Sequence, residues 1–428
     1  MKKRKAKRDK GISRGFENQK SVNLRKTALD FKIFGRQYID PKALDQMYTA
    51  MKMPVVVKGA LMADAHVGYG LPIGGVVAAY NAVMPYGVGM DIGCRMCLSV
   101  FDHSPEIIDK QRDRLKNILI ENTRFGLAEF KDLGDHELME RKEFKEIKFL
   151  KSLQKNFYKQ LGTSGHGNHF VEFGIVVIEK EHETWNLGDP PECSGGSPGT
   201  WSRALGMKPG TYFSVLSHSG SRNFGAEIAK HYTRIAKEKL GLFGETANLS
   251  WLELDSEEGQ EYWQAMTLAG DYSKANHRII HQKLSKALGL QAVTMVENHH
   301  NYAWQEKISE HETLVIHRKG AIPAGIGDTG VIPGNMVDAA YIVAGKGNDA
   351  SMHSASHGAG RVMSRRQAKK SLTASHLNKV LEKSGVELIG GGMDEAPSVY
   401  KNIHQVMEAQ KELVTPIGKF YPKIVRME

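Results

Sequence analysis

The sequence contains little cysteine and no long apolar segment. Only three of the 428 residues are cysteines, namely Cys94, Cys97 and Cys193, and three are too few for a disulfide scaffold in a chain of this length. A cysteine with a special role is therefore expected to act as a thiolate. No segment approaches the roughly 18 consecutive apolar residues of a membrane span, and MKKRKAKRDK lacks the apolar core of a signal peptide. We therefore expect a cytoplasmic protein.

Aromatic residues are sparse as well, at 8%, yet a hydrophobic content of 41% is enough to bury a large core. The net charge of +10 favours a polyanionic partner. Seven basic side chains at positions 2–10, set against Asp9, leave +6 of that charge at the start of the chain. We predict that residues 1–20 form a flexible basic extension, which either attracts phosphates or is simply solvated, and that residues 21–428 form one domain.

Helical and extended patterns interleave along the chain. Apolar spacing predicts two or three helices within 104–162, with breaks near Gly126 and Gly134, and further helices over 226–240 and 257–288. β-Branched and aromatic runs predict strands at 54–57, 96–101, 170–178, 211–216 and 313–317. Residues 183–210, dense in Gly, Pro, Ser and Thr, predict a surface loop. Because no composition shift divides the chain, we expect a single α+β domain.

Glycine, histidine and other polar residues gather in compact strings that are separated by ordinary helical sequence. Each string is predicted to be a loop shaped around a ligand, because glycine lets the backbone approach a ligand closely or adopt a positive φ. The strings occupy residues 64–75, 87–95, 162–172, 217–222, 298–301, 317–321, 332–336 and 356–365.

Several of these strings carry side chains that bind metals. Asp91 and Cys94 are three residues apart, so one turn can aim a carboxylate and a thiolate at the same ion. Imidazole suits transition metals at neutral pH, and three further strings contain His166, His169, His218, His299 and His300. The alternatives are a small buried cysteine, satisfied structural histidines, and a Cys94–Cys97 pair that forms half a zinc site or a redox pair.

The last string combines arginine, glycine and histidine. A guanidinium fork matches phosphate oxygens, so Arg222, Arg361 and Arg365 are candidates for binding phosphate; surface salt bridges are the alternative. His357 lies in the same setting and is a candidate nucleophile toward phosphorus. Such a histidine needs an acceptor for its other ring nitrogen, and Asp64 or Asp91 can supply it if the fold brings one of them near.

Two apparent motifs are rejected. Residues 325–330 match the dinucleotide fingerprint in letters but lack the strand-then-helix context that the motif requires. Residues 195–199 mimic a nucleophile elbow but lie in the proline-rich loop. A phosphate-binding loop with Gly-Lys-Ser/Thr is absent from the sequence, so a nucleoside triphosphate must be held differently.

Taken together and in this order, the strings resemble the RtcB family of RNA ligases over roughly residues 55–405. The resemblance begins at Asp64 and ends at the DEAP segment and Tyr400-Lys401, and its most specific parts are GNHFVE, HSGSR, HHN, HRKGA and SHGAGRVMSR. It implies one large catalytic domain with mixed sheets and peripheral helices around a central metal cleft. It also implies an enzyme that joins RNA 3′-phosphate or 2′,3′-cyclic phosphate ends to 5′-hydroxyl ends in RNA repair or tRNA splicing.

The resemblance further implies GTP and two Mn²⁺ ions as cofactors and a histidine-bound guanylate as intermediate. His357 matches the family's guanylylated histidine, and Asp64 matches the acidic residue that orients it. The implied metal ligands, with Cys94 shared between the ions, are Asp91, Cys94, His169, His218 and His300. The implied nucleotide pocket consists of Asn168, Phe170, Glu172, His300, Asn301, Pro333, Gly334, Asn335, Met336, Ala340, His357, Gly358, Ala359, Gly360, Tyr400 and Arg426.

The chain departs from the family pattern at positions that contact the base. The family commonly has serine where this chain has Asn335 and Ala340, and it usually ends in Val-Lys-Gly, where this chain has Val425-Arg426-Met427-Glu428. Arg426 is a candidate substitute for the lysine, although its planar fork has a different geometry. Guanine selectivity is therefore the property that these departures affect most.

Two other functions are compatible with parts of the pattern. One is a metal-dependent phosphoesterase acting on RNA ends, which the intact His357 argues against. The other is a non-catalytic RNA-binding factor, for which the basic extension would suffice. Neither of these functions requires all five predicted metal ligands.

Overall fold

The computed structural model describes residues 22–130, 135–178, 205–307 and 313–428. Within these ranges strands and helices interleave in one large domain, which confirms the predicted α+β class. The predicted basic extension at 1–20 and the elbow-like segment at 195–199 lie outside the described residues, as does most of the loop predicted at 183–210.

The strands form two large sheets and two short pairs. Their bounds are β1 Lys32–Ile33, β2 Val56–His66, β3 Ile73–Tyr80, β4 Ala82–Val83, β5 Arg95–Phe101, β6 Phe170–Ile178, β7 Gly210–Ser219, β8 Leu252–Glu253, β9 Ala292–His299, β10 Asn301–Lys307, β11 Thr313–Lys319, β12 Ala321–Pro323, β13 Thr329–Ile332, β14 Ala340–Gly345, β15 Ser354–Ser356, β16 Glu387–Ile389 and β17 Val414–Arg426. The five-stranded sheet has the order β1-β2-β3-β11-β10. The eight-stranded sheet has the order β13-β14-β17-β6-β7-β5-β9, with β16 beside β17. The pairs are β12-β15 and β4-β8.

Helices cover the faces and edges of these sheets. The α-helices of the described ranges are Pro41–Ala50, Pro85–Val88, Ile107–Lys110, Arg112–Asn122, Glu143–Glu146, Lys148–Lys159, Arg222–Leu240, Glu257–Leu288, Arg365–Ser371, Ala374–Ser384 and Ile403–Ala409. The helices predicted at 226–240 and 257–288 are both present, the first beginning four residues earlier. Within these ranges, no helix combines the length and the apolarity needed to cross a bilayer.

The helix Glu257–Leu288, called the long helix below, lies against strands β5 and β7 of the eight-stranded sheet. Ser256 caps its first turn by accepting a hydrogen bond from the Gly259 amide at 3.1 Å. Gly289 ends it with φ +71°, a conformation that costs little without a Cβ. The long helix therefore covers the sheet face opposite the cleft described below.

Strand β5 is buried along its whole length because both faces of its sheet are covered. Side chains alternate between the two faces of a strand. Met96 and Leu98 accordingly join the core on one face, whereas Cys97 and Ser99 point to the long helix on the other. Consecutive residues of β5 therefore point alternately to the cleft side of the sheet and to the long helix.

Strands extend further into the polar strings than the sequence predicted. β2 covers Val56–His66 rather than 54–57, β7 ends at Ser219 rather than at residue 216, and β9 was not predicted. A strand buried on both faces shows no alternation of polar and apolar residues. Asp64 and His218 consequently lie in strands and not in free loops, and their directions are set by strand pairing.

Phe213 provides a test of the packing between the sheet and the helices. It is fully buried between Phe101 and Phe173, at ring-centroid distances of 5.7 and 5.4 Å. We expect Phe213→Ala to lower the free energy of unfolding by about 3–5 kcal/mol, because it leaves a cavity. Phe243→Ala is the control, since Phe243 is 86% exposed, and should change stability by less than about 0.5 kcal/mol. Urea denaturation of both variants measures this, and equal effects would contradict the packing described.

Candidate metal and phosphate site

A cavity of about 1100 Å³ opens over the cleft-facing side of the eight-stranded sheet. Its walls come from almost every polar string, so the fold brings together segments that are far apart in sequence. The predicted site residues that line it are Asp91, Cys94, Asn168, His169, Phe170, Glu172, His218, His300, Asn301, Pro333, Gly334, Asn335, Met336, Ala340, His357, Gly358, Ala359, Gly360, Arg361, Arg365 and Tyr400.

A buried cluster of one cysteine and two histidines lies in the wall of this cavity. The ligand atoms of Cys94, His169 and His218 all lie within 4.8 Å of one another. Cys94 Sγ is 3.4 Å from His169 Nε2 and 3.1 Å from His218 Nε2. Ligands of a tetrahedral ion with bonds of about 2.0–2.3 Å are separated by roughly 3.3–3.8 Å. The spacing of the cluster is therefore close to that of a metal site.

Asp91 and His300 extend the cluster at its two ends. Asp91 Oδ2 is 2.9 Å from His169 Nε2, and His300 Nε2 is 3.3 Å from His218 Nε2. The Ser221 amide donates to Asp91 Oδ1 at 3.0 Å, which fixes the carboxylate. All five predicted metal ligands thus meet in one place.

The backbone around the cluster explains part of the glycine content of the strings. A Cβ on Gly165 would lie 1.5 Å from His169 Nδ1, and a Cβ on Gly220 would lie 2.1 Å from Asp91 Oδ1. Neither position can hold a side chain without displacing a ligand. Glycine here permits close approach, as the sequence predicted.

The donor set fits a transition metal. The Asn168 carbonyl accepts from His218 Nδ1 at 2.9 Å, which leaves the Nε2 lone pair for a metal. Burial lowers the pKa of His218 to about 3, so its ring is neutral. The Nδ1 atoms of His169 and His300 are buried without a hydrogen-bond partner among the described residues. Thiolate and neutral imidazole are ligands that first-row transition metals and zinc accept.

His357 and Asp64 form a pair at the edge of the cluster. His357 Nδ1 donates to Asp64 Oδ2 at 2.6 Å, and the His357 amide donates to the same oxygen at 3.2 Å. Burial alone would raise the pKa of Asp64, but the charge and hydrogen bond of His357 outweigh it and lower that pKa. Of the two acceptors considered from sequence, the fold places Asp64 and not Asp91 beside His357. The pair leaves His357 Nε2 directed away from Asp64.

Three residues in or beside the cavity were not predicted as site residues, and two of them, His66 and Lys401, lie close to this pair. His66 lines the cavity, and burial lowers its pKa to about 4. Lys401 is largely buried next to Asp64 and donates to the Ala65 carbonyl at 2.7 Å. Lys319 lines the cavity too, and burial lowers its pKa to about 7. His66 and Lys319 belong to the polar strings, and Lys401 belongs to the segment that follows DEAP. Their position in these segments was the signal by which the sequence could have identified them as site residues.

Two of the three candidate phosphate-binding arginines reach the cavity, and both are already paired with acidic groups. Arg361 Nη1 lies 3.2 Å from Glu395 Oε2, and Arg365 Nη1 lies 2.9 Å from Asp394 Oδ2. Tyr400 is linked to Glu395 by a hydrogen bond, and its ring lies 5.3 Å from the Arg361 guanidinium carbon. The arginines are therefore held in place before any phosphate binds.

Three predicted residues do not line the cavity: Asp64, which holds His357 from behind, Arg222 and Arg426. Arg222 is buried under the cluster and donates to the Thr163 hydroxyl at 3.2 Å. Arg426 is the last residue of β17 and lies between Val425 and Met427, which do line the cavity, so its side chain projects the other way. It donates to Thr123 Oγ1 at 2.9 Å. The structure therefore does not bring the Arg426 guanidinium to the cavity.

The remaining cysteine and histidines of the strings have structural environments. Cys94 and Cys97 are free and belong to two different clusters, so they do not form a redox pair. His299 points away from the cleft and contacts the Arg95 guanidinium at 2.7 Å. His166 is half-exposed and pairs with Glu428 at 2.7 Å. The side chains of His299 and His166 thus have partners outside the Cys94 cluster, as expected of structural histidines.

Comparison with known proteins identifies the family. The model of the tRNA-splicing ligase RtcB family matches residues 46–149 and 130–428. The chain is 29% identical over 413 residues to the RNA-splicing ligase RtcB of Escherichia coli strain K12, covering 89% of this chain and 92% of that protein. It is 28% identical over 464 residues to the tRNA-splicing ligase RtcB of Thermococcus kodakarensis, covering 89% and 91%. The chain belongs to the RtcB family, which confirms the family and the enzyme class, RNA ligase, predicted from the sequence.

Removing the cluster thiol should weaken metal binding. We expect Cys94→Ala to reduce Co²⁺ affinity by at least roughly tenfold. Cys97→Ala, three residues further along the chain, is the matched control and should keep the parent affinity. Burial raises the pKa of the Cys94 thiol, so the metal must displace a proton and affinity should rise with pH. Calorimetric titration at several pH values measures both effects. Unchanged affinity in Cys94→Ala would rule out this cluster as the metal centre.

Glu172 gives a second test, on stability. Burial raises the pKa of its carboxyl well above the usual range. Above the unfolded-state pKa the folded protein therefore binds more protons than the unfolded chain, and this residue lowers stability as pH rises. We expect Glu172→Gln to stabilise the protein at pH 8 and to have little effect near pH 4. Denaturation curves at both pH values measure this, and a stability difference independent of pH would contradict it.

Proposed function

We propose that this protein is a GTP- and Mn²⁺-dependent RNA ligase that joins RNA 3′-phosphate or 2′,3′-cyclic phosphate ends to 5′-hydroxyl ends through a guanylate on His357. The observation that carries the proposal is the position of His357, which belongs to the arginine-bearing string and lies beside the Cys94 cluster. Its ring lies 4.9 Å from that of His300, centroid to centroid, and its Nδ1 is held by Asp64.

Asp64 prepares His357 for attack on phosphorus. Because Nδ1 carries the proton that Asp64 accepts, the lone pair of Nε2 is free to act as nucleophile. In the proposed first step, Nε2 forms a bond to the α-phosphorus of GTP while the bond to the bridging oxygen breaks and pyrophosphate leaves. Asp64 stabilises the positive charge that develops on the ring.

The guanylate would then pass to the RNA. An oxygen of the RNA 3′-phosphate attacks the guanylate phosphorus and releases His357, and a cyclic phosphate must first be opened by water. The 5′-hydroxyl then attacks the activated 3′-phosphate, loses its proton, and displaces GMP. Arg361 and Arg365 stand on the cavity wall where they can stabilise the crowded anionic transition states.

The metal centre would be formed by Asp91, Cys94, His169, His218 and His300. Two Mn²⁺ ions held by these residues would supply the positive charge that phosphoryl transfer requires. The cluster adjoins the cavity from which His357 acts, so this charge would be close to the reacting phosphates.

The nucleotide pocket would extend from His357 toward Phe170, Glu172 and Ala340, which line the same cavity. Burial raises the pKa of the Glu172 carboxyl, and this carboxyl faces the cavity, where it is suited to pair with donors of a base. Asn335 holds Asp338 at 2.7 Å, and Ala340 is nearly buried where the family commonly has serine. Base recognition in this chain would therefore depend less on hydroxyl groups.

The activity would serve RNA repair or tRNA splicing. A metal centre that requires a reduced Cys94 is stable in a reducing compartment. We therefore propose that the protein acts in the cytoplasm.

Covalent labelling tests the proposal. Protein incubated with Mn²⁺ and α-labelled GTP should acquire a labelled guanylate, and His357→Ala should lose it completely. His353→Ala is the matched control, because the side chain of this half-exposed histidine pairs only with Asp349 among the described residues. Asp64→Asn should retain metal but lower the labelling rate by about 10²-fold or more. Absence of any labelled adduct in the parent protein, under conditions where metal binds, would overturn the mechanism.

An RNA assay separates the ligase from a phosphoesterase and from an RNA-binding factor. Strands ending in 3′-phosphate and 5′-hydroxyl should be joined only when GTP is present. Loss of the 3′-phosphate without joining would instead identify a phosphoesterase, and binding without either reaction would identify an RNA-binding factor.

A further inference from the structure

A chain of serine and histidine side chains lies behind the metal cluster, on the other face of the eight-stranded sheet. His277 and His281 are one turn apart on the long helix and are 0% and 2% exposed. They face Ser99 of β5 and Ser217 of β7. We call Ser99, His281, Ser217 and His277, together with the Ser219 carbonyl, the serine–histidine chain.

The links of the serine–histidine chain are short and continuous. Ser99 Oγ is 2.7 Å from His281 Nδ1, and His281 Nε2 is 2.8 Å from Ser217 Oγ. Ser217 Oγ is 2.7 Å from His277 Nδ1, and His277 Nε2 is 3.1 Å from the Ser219 carbonyl oxygen. Every ring nitrogen of both histidines therefore has a partner.

The final acceptor determines the direction of every proton in the chain. A carbonyl only accepts, so His277 Nε2 must donate to Ser219 and His277 Nδ1 must accept from the Ser217 hydroxyl. Ser217 then accepts from His281 Nε2, and His281 Nδ1 accepts from Ser99. Both rings are neutral in this arrangement. Burial, which lowers the pKa of His281 to about 4, agrees with a neutral ring.

The serine–histidine chain ends at the backbone that carries the metal ligands. Ser217 and Ser219 flank His218, whose side chain points to the opposite face of the sheet. The Ser219 carbonyl, which accepts from His277, is also 3.6 Å from Cys94 Sγ. One backbone segment thus connects His277 with two members of the cluster.

Cys97 lies close enough to both histidines for a second metal site to be considered, since one ligand atom of each lies within 4.8 Å of the others. An ion there would have to displace hydrogen bonds that are already complete. In the Cys94 cluster, by contrast, sulfur contacts nitrogen directly at 3.1 and 3.4 Å, and two buried ring nitrogens have no partner among the described residues. The geometry at Cys97 therefore favours hydrogen bonding.

We propose that His277 and His281 are positioning residues, which hold the Ser217–Ser219 segment and thereby keep His218 and Cys94 in the geometry that binds metal. The proposal rests on the proposed function only in treating the Cys94 cluster as the metal centre. It concerns metal affinity and not the guanylate on His357. The positioning role and the ligase mechanism can therefore be refuted independently of each other.

A matched pair of substitutions at His277 tests the donation to Ser219. The amide of glutamine reaches the place of Nε2 and can still donate to Ser219, whereas asparagine reaches only the place of Nδ1. We expect His277→Asn to weaken Co²⁺ binding by about tenfold and to alter the thiolate-to-cobalt absorption band. His277→Gln should keep both close to those of the parent protein. Thermal unfolding establishes that each variant is folded.

Ser217→Ala provides a second route if His277→Asn does not fold. It removes one hydroxyl, breaks the chain at its centre, and should weaken Co²⁺ binding in the same direction. Parent-like affinity and absorption in folded His277→Asn or Ser217→Ala would overturn the positioning role, whatever the result of guanylate labelling. Loss of one bound metal equivalent in Cys97→Ala would overturn it as well, because the two histidines would then be ligands.

Discussion

The pairing of β5 with both β7 and β9 is the interaction on which the site depends. Arg95, at the start of β5, lies opposite Ser219 and His299, so the neighbouring Cys94, His218 and His300 arrive at one point. Adjacent strands are only about 4.8 Å apart. Side chains at paired strand ends can therefore share an ion without relying on a mobile loop.

Burial of these strand ends determines their chemistry. It lowers the pKa values of His218 and His300, so both rings are neutral, and it raises that of the Cys94 thiol. Asp91 keeps a lowered pKa despite burial, because the hydrogen bond and charge of His169 outweigh the loss of solvent. A buried carboxylate and a potential thiolate are costly without a cation. A metal ion bound to this cluster would offset that cost.

The two faces of the eight-stranded sheet carry different side chains because side chains alternate along each strand. The cleft face carries His218 and Met96, while the face toward the long helix carries Ser217 and Cys97. The candidate metal ligands on one face are thus backed by hydrogen bonds on the other. The same alternation on β17 directs the Arg426 side chain to the Thr123 hydroxyl and away from the cavity.

The sequence by itself determined the family, the α+β class and the types of side chain in the site. These properties depend on the order and spacing of glycine, histidine and arginine strings, which can be recognised without knowing the fold. Residue chemistry alone left Asp64 and Asp91 equivalent as partners of His357, and it did not separate His299 from His300. Tertiary structure decided both, and it also revealed His66, Lys319, Lys401 and the serine–histidine chain. The reason is that strand register and the face of each strand depend on contacts distant in sequence, and strands buried on both faces leave no periodic signal.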